Sequence, residues 1–447
     1  METPIADFVR GYGAARLHMP GHKGRPFLGC EHLDITEVRG ADALYEACGI
    51  IAQSEARAGE LFGSGRTFYA TEGSSQCIRA MLHLALVHRP GGAAPVVVAA
   101  RNVHRAFVSA AALLDFETVW LWPEADSRSL CACPVSPAGL ERTLAALPAP
   151  PAAVYLTSPD YLGGTADLAA LAAVCHRRGT VLAVANAHGA YLPFLSPAAH
   201  PLDLGADLCC DSAHKTLPVL TGGAYLHVGK TAPAAFREGG KDALALFGST
   251  SPSYLTLASL DLCNRYLAEG YPRRLAETVS CLAALKAALS AAGWQVAPSA
   301  PLRLTLRAPA GRTGTELAEQ LRRGGVECEY ADGTDLVLMV TPENRPEDLE
   351  AVRLALGRNR APAAPAEPLP LAKGERVLSV RQALFAPRET VPAAEALGRI
   401  CGAPTVACPP AIPIAVSGER IGAAAVSLFR RYGVETVDVV RGKTEAP

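Results

Sequence analysis

The sequence lacks several features that would place it in common classes of protein. It has no excess of charge of either sign, because 42 lysine and arginine residues stand against 43 aspartate and glutamate residues, a net charge of −1. Proteins that bind nucleic acids or anionic membranes mainly by charge carry a basic excess, so we expect neither partner. No run reaches the roughly 18 apolar residues that a membrane helix needs. A secretory signal begins with basic residues followed by an apolar stretch, and the amino terminus has neither. We therefore expect a cytoplasmic protein.

The common sequence motifs for metal binding, nucleotide binding and serine hydrolases are also missing. The 13 cysteines, scattered from Cys30 to Cys408, include no paired CxxC motif, and the histidines show no metal-ligand spacing. We therefore expect reduced, mostly buried thiols and no metal. Gly63-Ser64-Gly65 lacks the third glycine and the preceding strand of a dinucleotide fingerprint. Neither a Walker loop nor a Gly-x-Ser-x-Gly elbow is present.

What the sequence does contain is an alternation of short apolar strands and helical patterns. With 447 residues, 49% of them hydrophobic, it is long enough for two or three domains and a large core. Six runs between about 60 and 230 are typical of strands buried on both faces: Pro95–Ala100, Thr118–Trp122, Ala153–Thr157, Thr180–Ala185, Ala206–Cys210 and Ala224–Val228. They predict an α/β fold, a mostly parallel sheet flanked by helices.

Composition and pattern divide the chain into five parts. We predict an N-terminal arm (1–60), a large α/β domain (61–254), a helical connection with a small α+β domain (255–360), a Pro/Ala linker (361–370) and an appended C-terminal unit (371–447). Within the third part, a strand-helix-strand-helix order is predicted over roughly 300–357.

A lysine follows one predicted strand directly, in Asp211-Ser212-Ala213-His214-Lys215-Thr216. Open α/β sheets bind their ligands at the carboxyl ends of strands. A lysine amine there can form a Schiff base with an aldehyde, while the flanking serine and histidine can bind phosphate. Taken alone, the segment also fits an exposed lysine in a polar loop.

Other polar residues are predicted at the same edge of the sheet. Ser74 and Ser75 open a helical run, where free N–H groups and the helix dipole favour phosphate, although an ordinary serine N-cap fits too. His104, the loop beginning at Ser158, and His188 each follow a further strand. The imidazole of His104 can stack on a flat cofactor ring or cap the next helix. Together these positions predict a ligand site.

These segments resemble the bacterial Orn/Lys/Arg decarboxylases, pyridoxal-phosphate enzymes of the aspartate-aminotransferase fold (fold type I). The resemblance begins at Pro20-Gly21-His22-Lys23-Gly24 and extends in order over nearly the whole chain. The other matching segments are Asp34-Ile35-Thr36-Glu37, Phe62-Gly63, Gly73-Ser74-Ser75, Arg101-Asn102-Val103-His104, Ser158-Pro159, Ala187-His188-Gly189-Ala190, Ser212–Leu217, Phe385–Pro392 and Pro409–Pro413. The length is similar to that of the family's shorter branch, without an extra N-terminal domain.

The resemblance implies a cofactor, a reaction and a set of site residues. Lys215 would bind pyridoxal 5'-phosphate covalently and, with His104 and His214, form the catalytic set. The other cofactor-binding residues implied are Ser74, Ser75, Ser158, Ala187, His188 and Ser212, and His104 would stack on the pyridine ring. The reaction implied is loss of the α-carboxylate of arginine, lysine or ornithine to give a polyamine-type amine. A homodimer or higher even oligomer is implied too, with His18 and His22 of the arm near a neighbour's site.

One departure from the family concerns the cofactor's ring nitrogen. The family reads Asp-Glu-Ala-His-Gly where this chain reads Ala185-Asn186-Ala187-His188-Gly189. By resemblance, the missing aspartate would keep the pyridine nitrogen protonated, and Asn186 should point to the opposite face of the strand. Losing ~3 kcal/mol of transition-state stabilisation would slow the reaction on the order of a hundredfold. Smaller departures are Asp160 for threonine, Ala411 for glycine and Ser417 for proline.

Two other functions remain open on the sequence. The chain can be a homologue that has lost turnover and acts as a binding or regulatory protein. It can also catalyse a different pyridoxal-phosphate reaction, such as an aldol-type or transfer reaction, that needs a weaker electron sink. Glu37 and Asp42 are candidates for binding a substrate's distal amine, although solvated surface charge is the simpler interpretation of both.

Overall fold

A computed structural model describes residues 1–89, 94–124, 127–362, 367–404 and 411–442. Its strands are β1 (Arg66–Ala70), β2 (Val96–Ala100), β3 (Glu117–Leu121), β4 (Ala153–Thr157), β5 (Val181–Ala185), β6 (Leu208–Asp211), β7 (Ala224–Val228), β8 (Gln295–Ala297), β9 (Arg303–Arg307), β10 (Tyr330–Ala331), β11 (Asp335–Met339), β12 (Arg388–Pro392) and β13 (Thr436–Val440). Its helices are α1 (Pro4–Gly11), α2 (Ile50–Leu61), α3 (Gly73–Val87), α4 (Arg105–Leu114), α5 (Pro137–Ala145), α6 (Leu168–Arg177), α7 (Ala213–Thr216), α8 (Ala234–Glu238), α9 (Gly240–Ala245), α10 (Tyr254–Ala268), α11 (Tyr271–Ala291), α12 (Gly314–Arg323), α13 (Pro346–Leu356), α14 (Val380–Leu384) and α15 (Ala423–Arg431).

The first compact unit comprises Met1–Gly91, Ala152–Ser158 and Leu168–Leu275. Its strands lie in the order β1-β7-β6-β5-β4. Strands β4, β5 and β6 are parallel, and β7 runs antiparallel to both of its neighbours, β6 and β1. The α/β fold with a mostly parallel sheet is thereby confirmed. Helix α3 packs against β5, β6 and β7, and the strands are apolar because helices and loops keep them from water.

The predicted strands of this unit are found within one or two residues of their bounds. Strands β4 and β7 match them fully, whereas β6 is shifted to include Asp211. Strand β1 was not predicted, because Arg66, Thr67 and Tyr69 give it no apolar alternation. Two of its polar side chains are nevertheless buried: Thr67 Oγ1 lies 2.8 Å from His227 Nδ1, and Tyr69 OH lies 2.7 Å from Ser54 Oγ.

The second compact unit comprises Gly92–Pro151, Pro159–Asp167 and Ala276–Pro447. It contains the parallel pair β2 and β3, an antiparallel sheet in the order β10-β11-β9-β8, and the antiparallel pair β12 and β13. The strand-helix-strand-helix order predicted over 300–357 is confirmed by β9, α12, β11 and α13. Leucines of these four elements share one buried cluster.

The C-terminal segment of this unit forms a hydrophobic cluster together with residues near 130. Ile412, Leu428, Phe429 and Val439 are buried together with Leu130. The five-part division of the chain stays a prediction, and residues 363–366 of the proposed linker and Pro409-Pro410 lie outside the described residues. Within the described ranges, no helix combines the length and apolar character needed to cross a bilayer.

Candidate active site

Lys215 and His188 meet at the carboxyl ends of two parallel strands. Strand β6 ends at Asp211, and the single turn of α7 carries Lys215. His188 lies in the turn that follows β5, and its Nε2 is 2.9 Å from Lys215 Nζ. Because β5 and β6 are parallel neighbours, their following loops lie side by side. The imidazole therefore holds the amine in position at the sheet edge.

A second group of residues surrounds the first turn of α3. Ser212 Oγ donates to Ser74 Oγ at 2.7 Å, and both residues are buried. In the described structure, the N-cap residue Glu72 makes no side-chain capping bond to α3. First-turn N–H groups after Gly73, without a side-chain cap, and the helix dipole favour an anion at this position, and two hydroxyls stand beside it. Ser75 is half-buried in the same turn. This part of the site fits a phosphate.

Glycines let two loops approach closely here. Gly73 N donates to Gly222 O at 2.7 Å. Gly222 has φ +97°, and a Cβ atom on it would lie 2.6 Å from Thr71 O. A larger residue would therefore push the loop before β7 away from the start of α3.

His214 is oriented by backbone. Its Nδ1 lies 2.9 Å from Gly223 O, and since a carbonyl only accepts, this contact places a proton on Nδ1. Burial lowers the pKa of His214, and the neighbouring Lys215 lowers it further. The imidazole is therefore neutral, with Nε2 as an acceptor. Its predicted role in holding phosphate stays a prediction.

The remaining predicted site residues occupy three places. Ser158 is buried, and its backbone N–H donates to Ala185 O at 3.2 Å. Ala187 is half-buried in the turn between Asn186 and His188. His104 belongs to the second unit, where its Nδ1 accepts from Ala106 N at 3.1 Å and caps α4. The capping role considered for His104 is thus confirmed, and ring stacking stays a prediction.

Ala185 ends β5, buried between two neighbouring strands. It pairs in register with Thr157 of β4 and Cys210 of β6. Paired residues of adjacent strands share a face, so a methyl group lies here between a hydroxyl and a thiol. The next side chain points the other way, as predicted: Asn186 Nδ2 donates to Asp211 Oδ1 at 2.8 Å.

Asp42 and Asp160 are engaged by backbone. The carboxylate of Asp42 accepts from Cys48 N, Gly49 N and Ile51 N, so the interpretation of Asp42 as a solvated charge is wrong. Burial opposes its ionisation, but these N–H groups prevail and lower its pKa. Asp160 lies in the second unit and accepts from Gly164 N at 2.7 Å, while burial raises its pKa to about 6. Glu37 is exposed, as a solvated charge would be.

The donor set fits two ends of pyridoxal phosphate. Lys215 supplies an amine for the aldehyde, and the uncapped start of α3 with Ser74 and Ser212 suits the phosphate. At position 185 a methyl group stands where the family has a carboxylate. The fit is therefore good for attachment of the cofactor and incomplete for its ring nitrogen.

Comparison with known proteins agrees with this chemistry. Residues 18–308 match the family described as "Orn/Lys/Arg decarboxylase, major domain". An uncharacterised protein of Bacillus subtilis, YaaO, is 30% identical, with 93% of this chain and 90% of that protein aligned. An arginine decarboxylase of the same organism is 27% identical over 94% of this chain and 91% of its own length.

Solved structures show the same fold. The constitutive lysine decarboxylase of Escherichia coli superposes with a TM-score of 0.78 at 15% identity, over 98% of this chain and 82% of that one. The lysine decarboxylase of Francisella novicida gives 0.80 at 14% identity, over 98% and 81%. With the family match over residues 18–308, the chain belongs to the Orn/Lys/Arg decarboxylase family of pyridoxal-phosphate enzymes.

Proposed function

We propose that this protein is a slow pyridoxal-phosphate-dependent decarboxylase of a basic amino acid, with arginine as the first substrate to test. The contact between Lys215 Nζ and His188 Nε2, 2.9 Å apart beside the start of α3, carries the proposal. Curated relatives that align with more than nine tenths of this chain are named arginine decarboxylase, which supports arginine. Ala185 is the reason that we expect the reaction to be slow.

Each residue of the site has a defined task in this proposal. Pyridoxal phosphate, when bound, would supply an electron-accepting ring for the bonding pair that stays on the α-carbon when carbon dioxide leaves. Lys215 attaches it, and His188 orients the amine and can exchange a proton with Nζ. Ser74, Ser212 and the N–H groups of α3 bind its phosphate.

Ala185 limits the rate because it cannot stabilise a proton on the ring nitrogen. A carboxylate beside that nitrogen favours the charged ring, and an alanine methyl contributes no such charge. If the missing interaction is worth ~3 kcal/mol in the transition state, the rate falls on the order of a hundredfold. Asn186 does not compensate, because its amide is bonded to Asp211 on the other face of the strand.

Cofactor binding and turnover are tested separately. Borohydride reduction of the protein with pyridoxal phosphate, followed by peptide mapping, should label Lys215, and label elsewhere or nowhere would refute the site. Carbon dioxide release from arginine, lysine and ornithine should be slow and should rise about a hundredfold in Ala185→Asp. Ala185→Asn is the matched control, because it adds similar volume without charge and should give no gain.

A binding or regulatory function without turnover is the second candidate, and Ala185 is the observation that favours it. It would show as labelling of Lys215 without carbon dioxide release in either the wild type or Ala185→Asp. A wild type as fast as Ala185→Asp would instead show that another group protonates the ring.

We also propose a homodimer formed through the N-terminal arm. Leu17, Phe27 and Leu28 are 97%, 80% and 90% exposed. Large apolar side chains clustered within 12 residues favour burial against another surface. His18 and His22 lie in the same segment, with His18 Nε2 2.8 Å from Tyr12 OH and His22 Nε2 3.2 Å from Asp34 Oδ2. Phe27→Asp with Leu28→Asp should shift the mass measured by light scattering to that of a monomer, and an unchanged mass would refute this interface.

The location in the cell and the pathway are part of the same proposal. The described cysteines are all free thiols, which supports a cytoplasmic location. Decarboxylation of a basic amino acid would give an amine of the kind used in polyamine biosynthesis. Cell fractionation and amine analysis of a deletion strain would test the two points.

A further inference from the structure

A buried cluster of potential metal ligands lies on the face of β6 that carries Asp211. Cys209 and Asp211 alternate with Cys210 along β6 and therefore share one face. His200 reaches them from the segment before β6, and the three side chains are fully buried. Their ligand atoms lie within 4.8 Å of one another. No metal was expected from the sequence, because residues 200, 209 and 211 have no recognised ligand spacing.

The separations between these atoms are those of ligands around one ion. His200 Nε2 lies 3.1 Å from Asp211 Oδ2, and Cys209 Sγ lies 3.7 Å from His200 Nε2 and 3.5 Å from Asp211 Oδ1. Zinc binds nitrogen, oxygen and sulfur at about 2.0–2.3 Å, so its tetrahedral ligands are roughly 3.3–3.7 Å apart. The two short contacts of Asp211 involve different oxygens, so its carboxylate must turn for one oxygen to join the nitrogen and the sulfur around a single ion.

His227 supplies an independent observation. It pairs in register with Cys209 on the adjacent strand β7, and its Nε2 lies 3.4 Å from Asp211 Oδ2. That nitrogen is buried and forms no hydrogen bond within the described structure. Its other nitrogen, Nδ1, lies 2.8 Å from Thr67 Oγ1. If the proton is on Nδ1, the lone pair on Nε2 faces the Asp211 carboxylate. A cation between them would remove the repulsion between these two electron-rich groups.

We propose that His200, Cys209 and Asp211 hold a structural Zn²⁺ ion and that His227, which lies outside their 4.8 Å cluster, moves inward to complete the ligand set. Two imidazoles, one thiolate and one carboxylate are borderline ligands of the kind that zinc prefers. The competing arrangement is a proton on His200 Nε2 that bonds to Asp211. Leu202 N donates to His200 Nδ1 at 3.4 Å, which favours this arrangement, and zinc at Nε2 would have to break that contact. Phe62 packs on both imidazole rings and keeps either arrangement dry.

Such a site would stabilise the strand that leads to Lys215. The metal would link β6, β7 and the segment before β6, and β6 ends two residues before α7 begins. Asp211 also accepts from Asn186, which precedes His188 in the neighbouring loop. A metal on Asp211 would therefore fix both loops that carry the Lys215–His188 contact.

The test measures metal and its ligands directly in the holoprotein. Purified wild type should contain close to one zinc ion per chain by mass spectrometry. Exchange for Co²⁺ should give the visible d–d bands of a tetrahedral site and a thiolate-to-cobalt charge-transfer band in the near ultraviolet, read as the difference from the zinc-loaded holoprotein. Cys209→Ser should lose the charge transfer and bind zinc at least tenfold more weakly. Cys210→Ser, equally buried on the same strand but facing the other way, should retain both properties.

Every outcome decides the proposal. If Cys209→Ser fails to fold, the wild type and His200→Gln are compared instead. A thiolate charge-transfer band that is present in the wild type and lost in His200→Gln would equally show that the metal binds at this cluster. Wild type that takes up no metal, before or after incubation with zinc, would show that a proton occupies the cluster and would overturn the site. Equal loss in Cys209→Ser and Cys210→Ser, or retention in both, would also overturn it.

Discussion

The buried ion pair between Arg101 and Glu419 gives the largest stability effect expected in the second unit. Arg101 Nη1 and Nη2 donate to Glu419 Oε1 and Oε2, each at 2.7 Å. The Arg101 side chain is fully buried and that of Glu419 is 9% exposed. The Arg101 guanidinium also lies 4.7 Å from the ring centroids of Trp120 and Trp122. A charge so enclosed depends on its partner, because water cannot replace it.

Glu419→Gln removes that partner while preserving its shape. We expect the free energy of unfolding to fall by about 3–5 kcal/mol, the range for breaking one side of a buried pair. Glu375→Gln is the matched control, because Glu375 pairs with the adjacent Arg420 at 2.9 Å but is 68% exposed. An exposed pair of this kind contributes about 0–1 kcal/mol. Urea unfolding followed by tryptophan fluorescence, which Trp120 and Trp122 make sensitive to this region, measures both variants.

The same assay can refute the reasoning. Equal losses in Glu419→Gln and Glu375→Gln would show that burial of Arg101 does not depend on its counter-charge. Replacing both partners, with Arg101→Met and Glu419→Leu, should recover much of the loss, since a well-packed apolar pair costs little beside a buried ion pair.

Three further predictions concern single residues. Burial gives Asp160 a pKa of about 6 in the folded protein, above ~3.9 for an unfolded aspartate, so its contribution to stability falls as pH rises from about 4 to 6. Asp160→Asn should therefore raise the unfolding free energy by up to about 3 kcal/mol at pH 7.5 and leave it unchanged at pH 4. A difference that does not depend on pH would contradict this prediction. Gly418→Ala should cost at least about 2 kcal/mol of unfolding free energy, because φ is +93° and the added methyl would lie 2.3 Å from Leu378 O. Gly422→Ala, whose methyl meets open space, should cost little in the same urea-unfolding assay. Ser74→Ala should weaken pyridoxal-phosphate binding about tenfold, because it removes one hydroxyl at the start of α3. The affinity is measured by an absorbance titration. An unchanged affinity would place the phosphate elsewhere.

The sequence was sufficient for features that depend on local pattern. Strands buried on both faces leave apolar runs, so β4 and β7 were predicted at their bounds. The alternation of side chains along a strand was also sufficient to separate Ala185 from Asn186, and the structure places Asn186 against Asp211 as expected.

Features that depend on distant contacts were not predictable in this way. The polar side chains of β1 are satisfied by His227 and Ser54, which lie far away in sequence. Asp42 resembles any surface acid until its bonds to Cys48, Gly49 and Ile51 are known. Glu419 gives no local sign of its partner either, because Arg101 lies 318 residues away in the sequence.

The two faces of the sheet explain why the charge missing at position 185 cannot come from a neighbour. Asp211 is only one residue from Cys210, which lies beside Ala185 in register, yet its carboxylate points to the opposite face. There it is surrounded by Asn186, His200 and His227. Burial opposes ionisation of Asp211, but its interactions, led by the contact with His200, more than offset this and hold its pKa well below the usual value. The chain thus has a buried charge next to the active site, but that charge lies on the face of the sheet opposite Ala185. Only a carboxylate introduced on the face of Ala185 should therefore restore the rate.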